Sequence, residues 1–215
     1  MIFPNRFEAG KQLADKLLET LDLTSNSSLV VLAIPRGGVV IGSQLASILK
    51  CPLEVIVTKK IGAPGNPELA IGAVGLVGEP VIDENLAARV GVDEAYLQSK
   101  IANLKSEIAR RVKEYQGEKP AINLKDKLVI ITDDGVATGA TMKAAIEIAR
   151  QENPQKIMVA VPVIAKDALK EIEGLADEVI YLEAPDLFFA VGQFYQEFDQ
   201  VSDEEVKKLL NETTF

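Results

Sequence analysis

Histidine is absent from this 215-residue chain, cysteine occurs once, and 23 Lys and Arg are outnumbered by 32 Asp and Glu. Each shortage excludes a class of chemistry. Without histidine there is no serine-histidine triad, no imidazole general base and no imidazole metal ligand. A bound metal would therefore have oxygen ligands, which points to magnesium. The lone Cys51 permits neither an internal disulfide nor a cysteine zinc cluster, as suits a reducing compartment. A formal charge of -9 repels a nucleic-acid backbone, so no nucleic-acid partner is expected. No apolar run reaches membrane-spanning length, and the opening MIFPNRFEAGKQ lacks the basic head and apolar core of a secretion signal. The expected location is the cytoplasm, with no membrane partner.

With 47% hydrophobic residues the chain can bury a sizeable core, and its length suits a single domain over residues 1–215. Phe7, Leu13, Ala14, Leu17, Leu18 and Leu21 recur at helical spacing and predict a helix over Arg6 to Leu23. A β-branched strand SLVVLAI, the turn PRGG, a helix over Val39 to Leu49 and a strand LEVIVT follow. The stretch KKIGAPGNPELAIGAVGLVGEPVID is rich in glycine and proline and predicts a flexible loop followed by a hairpin. Leu97, Ile101, Leu104, Ile108, Val112 and Tyr115 predict a long amphipathic helix over Asp93 to Gln116. Strands KLVIIT, KIMVAVPVI and DEVIYLE alternate with helices after Thr141 and Lys166, and the tail ends in a short helix. Such alternation predicts an α/β fold with a doubly wound, mainly parallel central sheet, whose ligands sit at the carboxyl ends of the strands.

The informative stretch is LVIITDDGVATGAT. Leu128 to Thr132 reads as a buried strand that delivers Asp133 and Asp134 at its end. Two adjacent carboxylates there repel each other and lose solvation, so something positive or hydrogen-bond-donating should face them. Gly135 and Gly139 permit tight curvature, while Thr138 and Thr141 place hydroxyls beside the free amides that open the next helix. That arrangement cradles phosphate. Acidic groups that grip sugar hydroxyls or magnesium, beside a phosphate cradle, describe a sugar-phosphate site. A Walker loop needs Gly-Lys-Ser/Thr and a dinucleotide fingerprint a third glycine, and neither is present. An Asp-Asp helix cap with a glycine turn accounts for DDG in isolation, but not for the whole pattern.

Four apolar residues, two acidic ones and Gly-x-x-Thr-Gly-x-Thr resemble the phosphoribosyl pyrophosphate motif of the type I phosphoribosyltransferases, and VIITDDGVATGAT follows it throughout. More closely, the chain resembles a bacterial group of predicted phosphoribosyltransferases of unsettled acceptor. The similarity runs from RFEAGKQLA through PRGGV and KKIGAPGNPELAIGAV to FFAVGQFYQEFDQVSDEEV. The resemblance implies that family's fold, with a core over residues 25–185 and a hood from the N-terminal segment, residues 83–118 and the C-terminal segment. It also implies transfer of ribose 5-phosphate from phosphoribosyl pyrophosphate to a nitrogen of a small heterocyclic acceptor, with Mg2+ as cofactor.

The same resemblance assigns residues. Asp133 and Asp134 would meet the ribose hydroxyls, directly or through Mg2+. Val136, Ala137, Thr138, Gly139, Ala140 and Thr141 would wrap the 5-phosphate. Amides of Arg36, Gly37 and Gly38 would bind pyrophosphate, with charge from the Arg36 side chain and from Lys59 or Lys60; Thr58 departs from the Arg-Lys pair that several members carry there. In FFAVG, Phe188 or Phe189 would stack on the acceptor, with Val191 beside it. Gln193 and Gln196 stand where purine-type members place an aspartate, and their base-reading lysine has no counterpart, since Lys166 reads as the first turn of a helix.

Displacement at the anomeric carbon needs placement and charge neutralisation more than covalent help, which suits a chain without histidine. The segment GAPGNPELAIG is a candidate lid, or a hairpin that decorates the fold. Arg110 and Arg111 sit in the last turns of the long helix, which belongs either to a hood or to a homodimer contact. Two other readings use the same motif: a ligand-sensing regulator without transfer activity, for which a basic stripe is missing, and a hydrolase or phosphorylase of a sugar phosphate.

Overall fold

The computed structural model describes residues 2–20 and 28–213. In chain order its elements are α1 (Arg6–Thr20), β1 (Leu29–Ala33), α2 (Gly37–Leu49), β2 (Leu53–Val55), β3 (Lys59–Ala63), β4 (Asn66–Val74) and β5 (Val81–Ile82). There follow α3 (Glu84–Arg89), α4 (Glu94–Gln116), β6 (Leu128–Thr132), α5 (Ala140–Arg150), β7 (Lys156–Val163), α6 (Lys166–Glu173), β8 (Glu178–Glu183) and α7 (Asp203–Glu212). The end expected for the first helix, Leu21 to Leu23, lies outside the described residues.

A five-stranded parallel sheet in the order β2-β1-β6-β7-β8 makes the fold α/β and doubly wound. Strand residues alternate between two cores, as the period of two requires. Val31, Ala33, Ile130, Met158 and Ala160 face α1, α2, α4 and α7. Val30, Leu32, Val129, Ile131, Ile157 and Val159 face α5 and α6. Both faces being covered explains why these strands read as unbroken apolar runs. Full burial of a side chain such as Ile131, at 0% exposure, contributes roughly 1.5–3 kcal/mol. Among the described residues no helix is long and apolar enough to cross a membrane.

The topology leaves an opening at the strand ends. β1 and β6 are neighbours, with Ala33 opposite Thr132. From β1 the chain passes to α2 on one face, and from β6 to α5 on the other, so a crevice opens beyond the two strand ends. PRGG and DDG are the turns that line it.

One expectation changes. The segment read as a flexible loop before a hairpin is hairpin from its first residue: β3 and β4 pair antiparallel, and β5 completes a three-stranded sheet. Its glycines serve strand geometry. Gly65 makes the turn at φ +73°. A Cβ on Gly62 would lie 2.5 Å from the Pro67 carbonyl oxygen, where the ladder register shifts. The Tyr96 hydroxyl donates to the Gly62 carbonyl at 2.8 Å and ties the hairpin to α4. The short α3 escaped sequence reading, although Asp83 caps it by accepting the Leu86 N–H.

Candidate functional site

Asp133 and Asp134 leave the carboxyl end of β6 into the crevice, and the Asp134 N–H donates to Asp133 Oδ1 at 2.8 Å. Burial, reinforced by the charge of Asp134, holds the Asp133 carboxyl well above the usual aspartate range. Burial also raises Asp134, and Arg6 opposes that rise. Arg6 is the positive, hydrogen-bond-donating group that faces the pair: its Nε donates to Asp134 Oδ2 at 2.7 Å, with the two side chains 11% and 14% exposed. Arg6 also donates from Nη1 to the Asp199 carbonyl and lies 3.8 Å over the Phe198 ring. The Tyr195 hydroxyl donates to the Asp134 carbonyl at 2.6 Å, and burial keeps that phenol protonated by pushing its pKa up. Sequence reasoning found neither Arg6 nor Tyr195, since they stand 128 and 61 residues from Asp134.

After Asp134 the chain turns through Gly135, whose missing side chain admits Val191: a Cβ there would meet Val191 Cγ1 at 2.6 Å. Val136 is then stitched to the end of β7, donating to the Val163 carbonyl and accepting from the Ala165 N–H, both at 2.9 Å. Gly139 takes φ +75° and opens α5 without a side-chain cap, so the first-turn amides have no competing side-chain acceptor. Val136, Ala137, Thr138, Gly139, Ala140 and Thr141 line one cavity together with Asp133 and Val191.

Across the crevice the PRGG turn presses against the acidic pair, its Pro35–Arg36 peptide cis. A Cβ on Gly37 would fall 1.9 Å from Asp134 Oδ2, and one on Gly38 would fall 2.9 Å from the Asp133 Cα. Arg6, Arg36, Gly37, Asp134 and Phe198 line a second cavity. The two aspartates thus divide the crevice, Asp133 on the side of the glycine-capped helix and Asp134 on the side of two guanidiniums. Arg36 Nη1 lies 3.8 Å from Asp203 Oδ1, which also accepts from the Tyr115 hydroxyl at 2.7 Å. Arg111 donates to that hydroxyl, whereas Arg110 pairs with Glu114 on the exposed face of α4.

Lys59 and Lys60 are separated by the strand period. Lys59 pairs with Glu107 of α4 at 3.2 Å, while Lys60 lines a groove that reaches Ala140 at the start of α5. Phe188 and Phe189 diverge as well: Phe188 packs on Phe194 with centroids 5.0 Å apart, and Phe189 is 84% exposed. Gln193 staples their loop, accepting from the Phe189 and Ala190 N–H groups. Lys166 does open a helix, α6, and pairs with Asp186.

All the acidic donors here are oxygens, and among the described residues no group of three or more His, Cys, Asp or Glu could hold a metal ion. Two carboxylates are too few for a resident ion but fit Mg2+ that takes its remaining ligands from phosphate oxygens and water. Thr132, at 0% exposure, leaves its Oγ1 without a hydrogen-bond partner among the described residues. Thr132→Val is therefore expected to raise stability by roughly 1 kcal/mol, read as a higher melting temperature; a lower one would show that the hydroxyl is satisfied in solution.

Residues 3–198 match the family model described as "Phosphoribosyl transferase domain". The chain is 40% identical over 210 residues to a "Putative phosphoribosyl transferase" of Mycobacterium tuberculosis, covering 98% of this chain and 46% of that protein. It thus spans about half the length of the curated relatives it matches. The crystal structure of a Thermus thermophilus protein, TT1426, superposes with a TM-score of 0.87 at 39% identity, covering 100% of each chain. A hypothetical protein from Neisseria gonorrhoeae with bound ppGpp shares the fold, at a TM-score of 0.51 and 14% identity over 99% of this chain and 97% of that one.

Proposed function

The chain belongs to the phosphoribosyl transferase family, a class of pentosyltransferases, and from that membership we propose that it moves ribose 5-phosphate from phosphoribosyl pyrophosphate to a ring nitrogen of a small heterocycle. The observation that carries this reading is the meeting at one crevice of a buried acidic pair, a helix start without a side-chain cap and a glycine turn carrying Arg36.

In this reading the 5-phosphate sits against Val136 to Thr141, and the ribose hydroxyls face Asp133 and Asp134. Pyrophosphate lies along the amides of Arg36, Gly37 and Gly38. The bond from the anomeric carbon to the pyrophosphate oxygen breaks and its electron pair leaves with pyrophosphate. A nitrogen lone pair of the acceptor forms the new bond, and the acceptor's proton passes to solvent. Mg2+, when bound, offsets charge on the leaving group. The chain's own part is to hold ribose rigid and to present Arg36 and Lys60 to that charge. Phe189, whose ring is open, and Val191, which shares a cavity with Asp133, face the acceptor.

Calorimetric titration with phosphoribosyl pyrophosphate tests the reading. Saturable binding that needs Mg2+ is expected; no binding with or without the ion would refute it. The split between the lysines adds a second test. Lys60→Gln is expected to lower kcat/KM for pyrophosphate release about tenfold, the scale of one hydrogen bond to a charged group. Lys59→Gln, which breaks only an exposed pair with Glu107, should change it by less than about threefold. Equal effects would mean that the strand does not sort the two as described.

A further inference from the structure

We propose that Arg6 is a positioning residue of this site: fixed by Phe198 and the Asp199 carbonyl, its guanidinium holds the Asp134 carboxylate in the orientation that receives the donor's ribose. The inference rests on the functional reading above and extends it to a residue in the first turn of α1, outside both the acidic-pair motif and the PRGG turn.

The geometry separates Arg6 from an ordinary surface arginine. Its guanidinium is engaged on three sides, by Asp134 Oδ2 at 2.7 Å, by the Asp199 carbonyl at 2.9 Å and by the Phe198 ring at 3.8 Å. The PRGG turn closes on the same contact, since a Cβ on Gly37 would lie 1.9 Å from Oδ2 and 3.1 Å from Arg6 Nε. Tyr195 fixes the other end of the residue through the Asp134 carbonyl. Asp134 is therefore held by both its backbone and its carboxylate, which leaves the ligand no reorientation to drive.

A stabilising role explains this arrangement less well. Buried ion pairs give little net stability compared with apolar packing. The C-terminal segment that supplies Phe198 and Asp199 is already tied to the N-terminus without the guanidinium. Phe3 N–H donates to the Phe194 carbonyl at 2.7 Å, Gln196 N–H to the Phe3 carbonyl at 2.8 Å, and Glu197 N–H to the Pro4 carbonyl at 3.0 Å. Among the described residues, what Arg6 alone supplies is a planar donor aimed at the Asp134 carboxylate.

The test is a double-mutant cycle read by calorimetric binding of phosphoribosyl pyrophosphate with Mg2+, with melting temperatures measured alongside. Arg6→Gln is expected to weaken binding about thirtyfold, and Arg6→Lys to recover part of the loss. Arg6→Gln combined with Asp134→Asn should bind within about twofold of Asp134→Asn alone, because Arg6 acts through that carboxylate. Unchanged affinity in Arg6→Gln, or losses that simply add in the double variant, would overturn the inference while leaving the functional reading in place. Should Arg6→Gln not fold, Arg6→Lys decides, and natural affinity there overturns the proposal. Absence of binding by the natural chain would instead overturn the functional reading, and this inference with it.

Discussion

Gly37→Ala is expected to weaken binding of the Mg2+ complex of phosphoribosyl pyrophosphate by about a hundredfold, although it adds one methyl group at the surface of a cleft. The methyl would sit 1.9 Å from Asp134 Oδ2 and 2.5 Å from its Cγ, distances that no pair of nonbonded atoms sustains. Asp134 cannot yield cheaply, because Arg6 grips that oxygen and Tyr195 holds its carbonyl. Either the carboxylate turns away and loses a hydrogen bond to a charged group, worth roughly 1.5–3 kcal/mol, or the turn that presents the Arg36 and Gly38 amides moves. Each route removes a contact proposed for the donor, and each 1.4 kcal/mol is about tenfold in affinity. Gly174→Ala is the control: its Cβ would meet only the Glu171 carbonyl, at 3.4 Å, and affinity should stay within about twofold. A Gly37→Ala protein that binds the donor normally would show that the turn and the acidic pair do not share the site.

What sequence could and could not show divides along the same physical line. The strands around Ile130 and Val159 announce themselves because both of their faces are buried, and the turn that opens α5 does so because Thr138, Gly139 and Thr141 lie close together in the chain. The hairpin was obscured by Gly62 and Gly65, residues that usually signal loops and here serve a register shift and a tight turn. That something positive or hydrogen-bond-donating should face the aspartates is legible, but its identity is not. Arg6 reaches Asp134 only after α1 has packed on the sheet and the C-terminal segment has crossed over it, and no local pattern encodes contacts across 128 residues. Lys59 and Lys60, or Phe188 and Phe189, are equivalent as neighbours in a string. A half-turn of strand in one case, and the packing of one ring on Phe194 in the other, make them different.

Asp133→Asn is expected to separate stability from function. In the free protein, burial first and the charge of Asp134 second disfavour ionised Asp133, with the Asp134 N–H and the Arg6 cation opposing them. The sign follows from linkage. A carboxyl whose folded pKa is raised binds more protons in the folded than in the unfolded chain, so stability falls as pH climbs from the ordinary aspartate value of about 3.9 through the raised one. Below that interval the ionisation penalty is absent, and above it the penalty is complete. Asparagine keeps an acceptor for the Asp134 N–H and never ionises. The free variant should therefore be the more stable protein at neutral pH, by roughly 1 kcal/mol, or about 2–4 °C in Tm for a chain of this size. That advantage should shrink as the pH is lowered toward about 4, where the natural carboxyl is protonated as well. The same substitution should weaken the Mg2+-dependent donor complex about a hundredfold, since a neutral amide neither attracts the ion nor accepts from a ribose hydroxyl as a carboxylate does. Melting curves from about pH 4 to 8 and donor titrations near pH 7 measure the two halves independently. A variant less stable at neutral pH would contradict the buried like-charge pair, and one that keeps its donor affinity would remove Asp133 from the site.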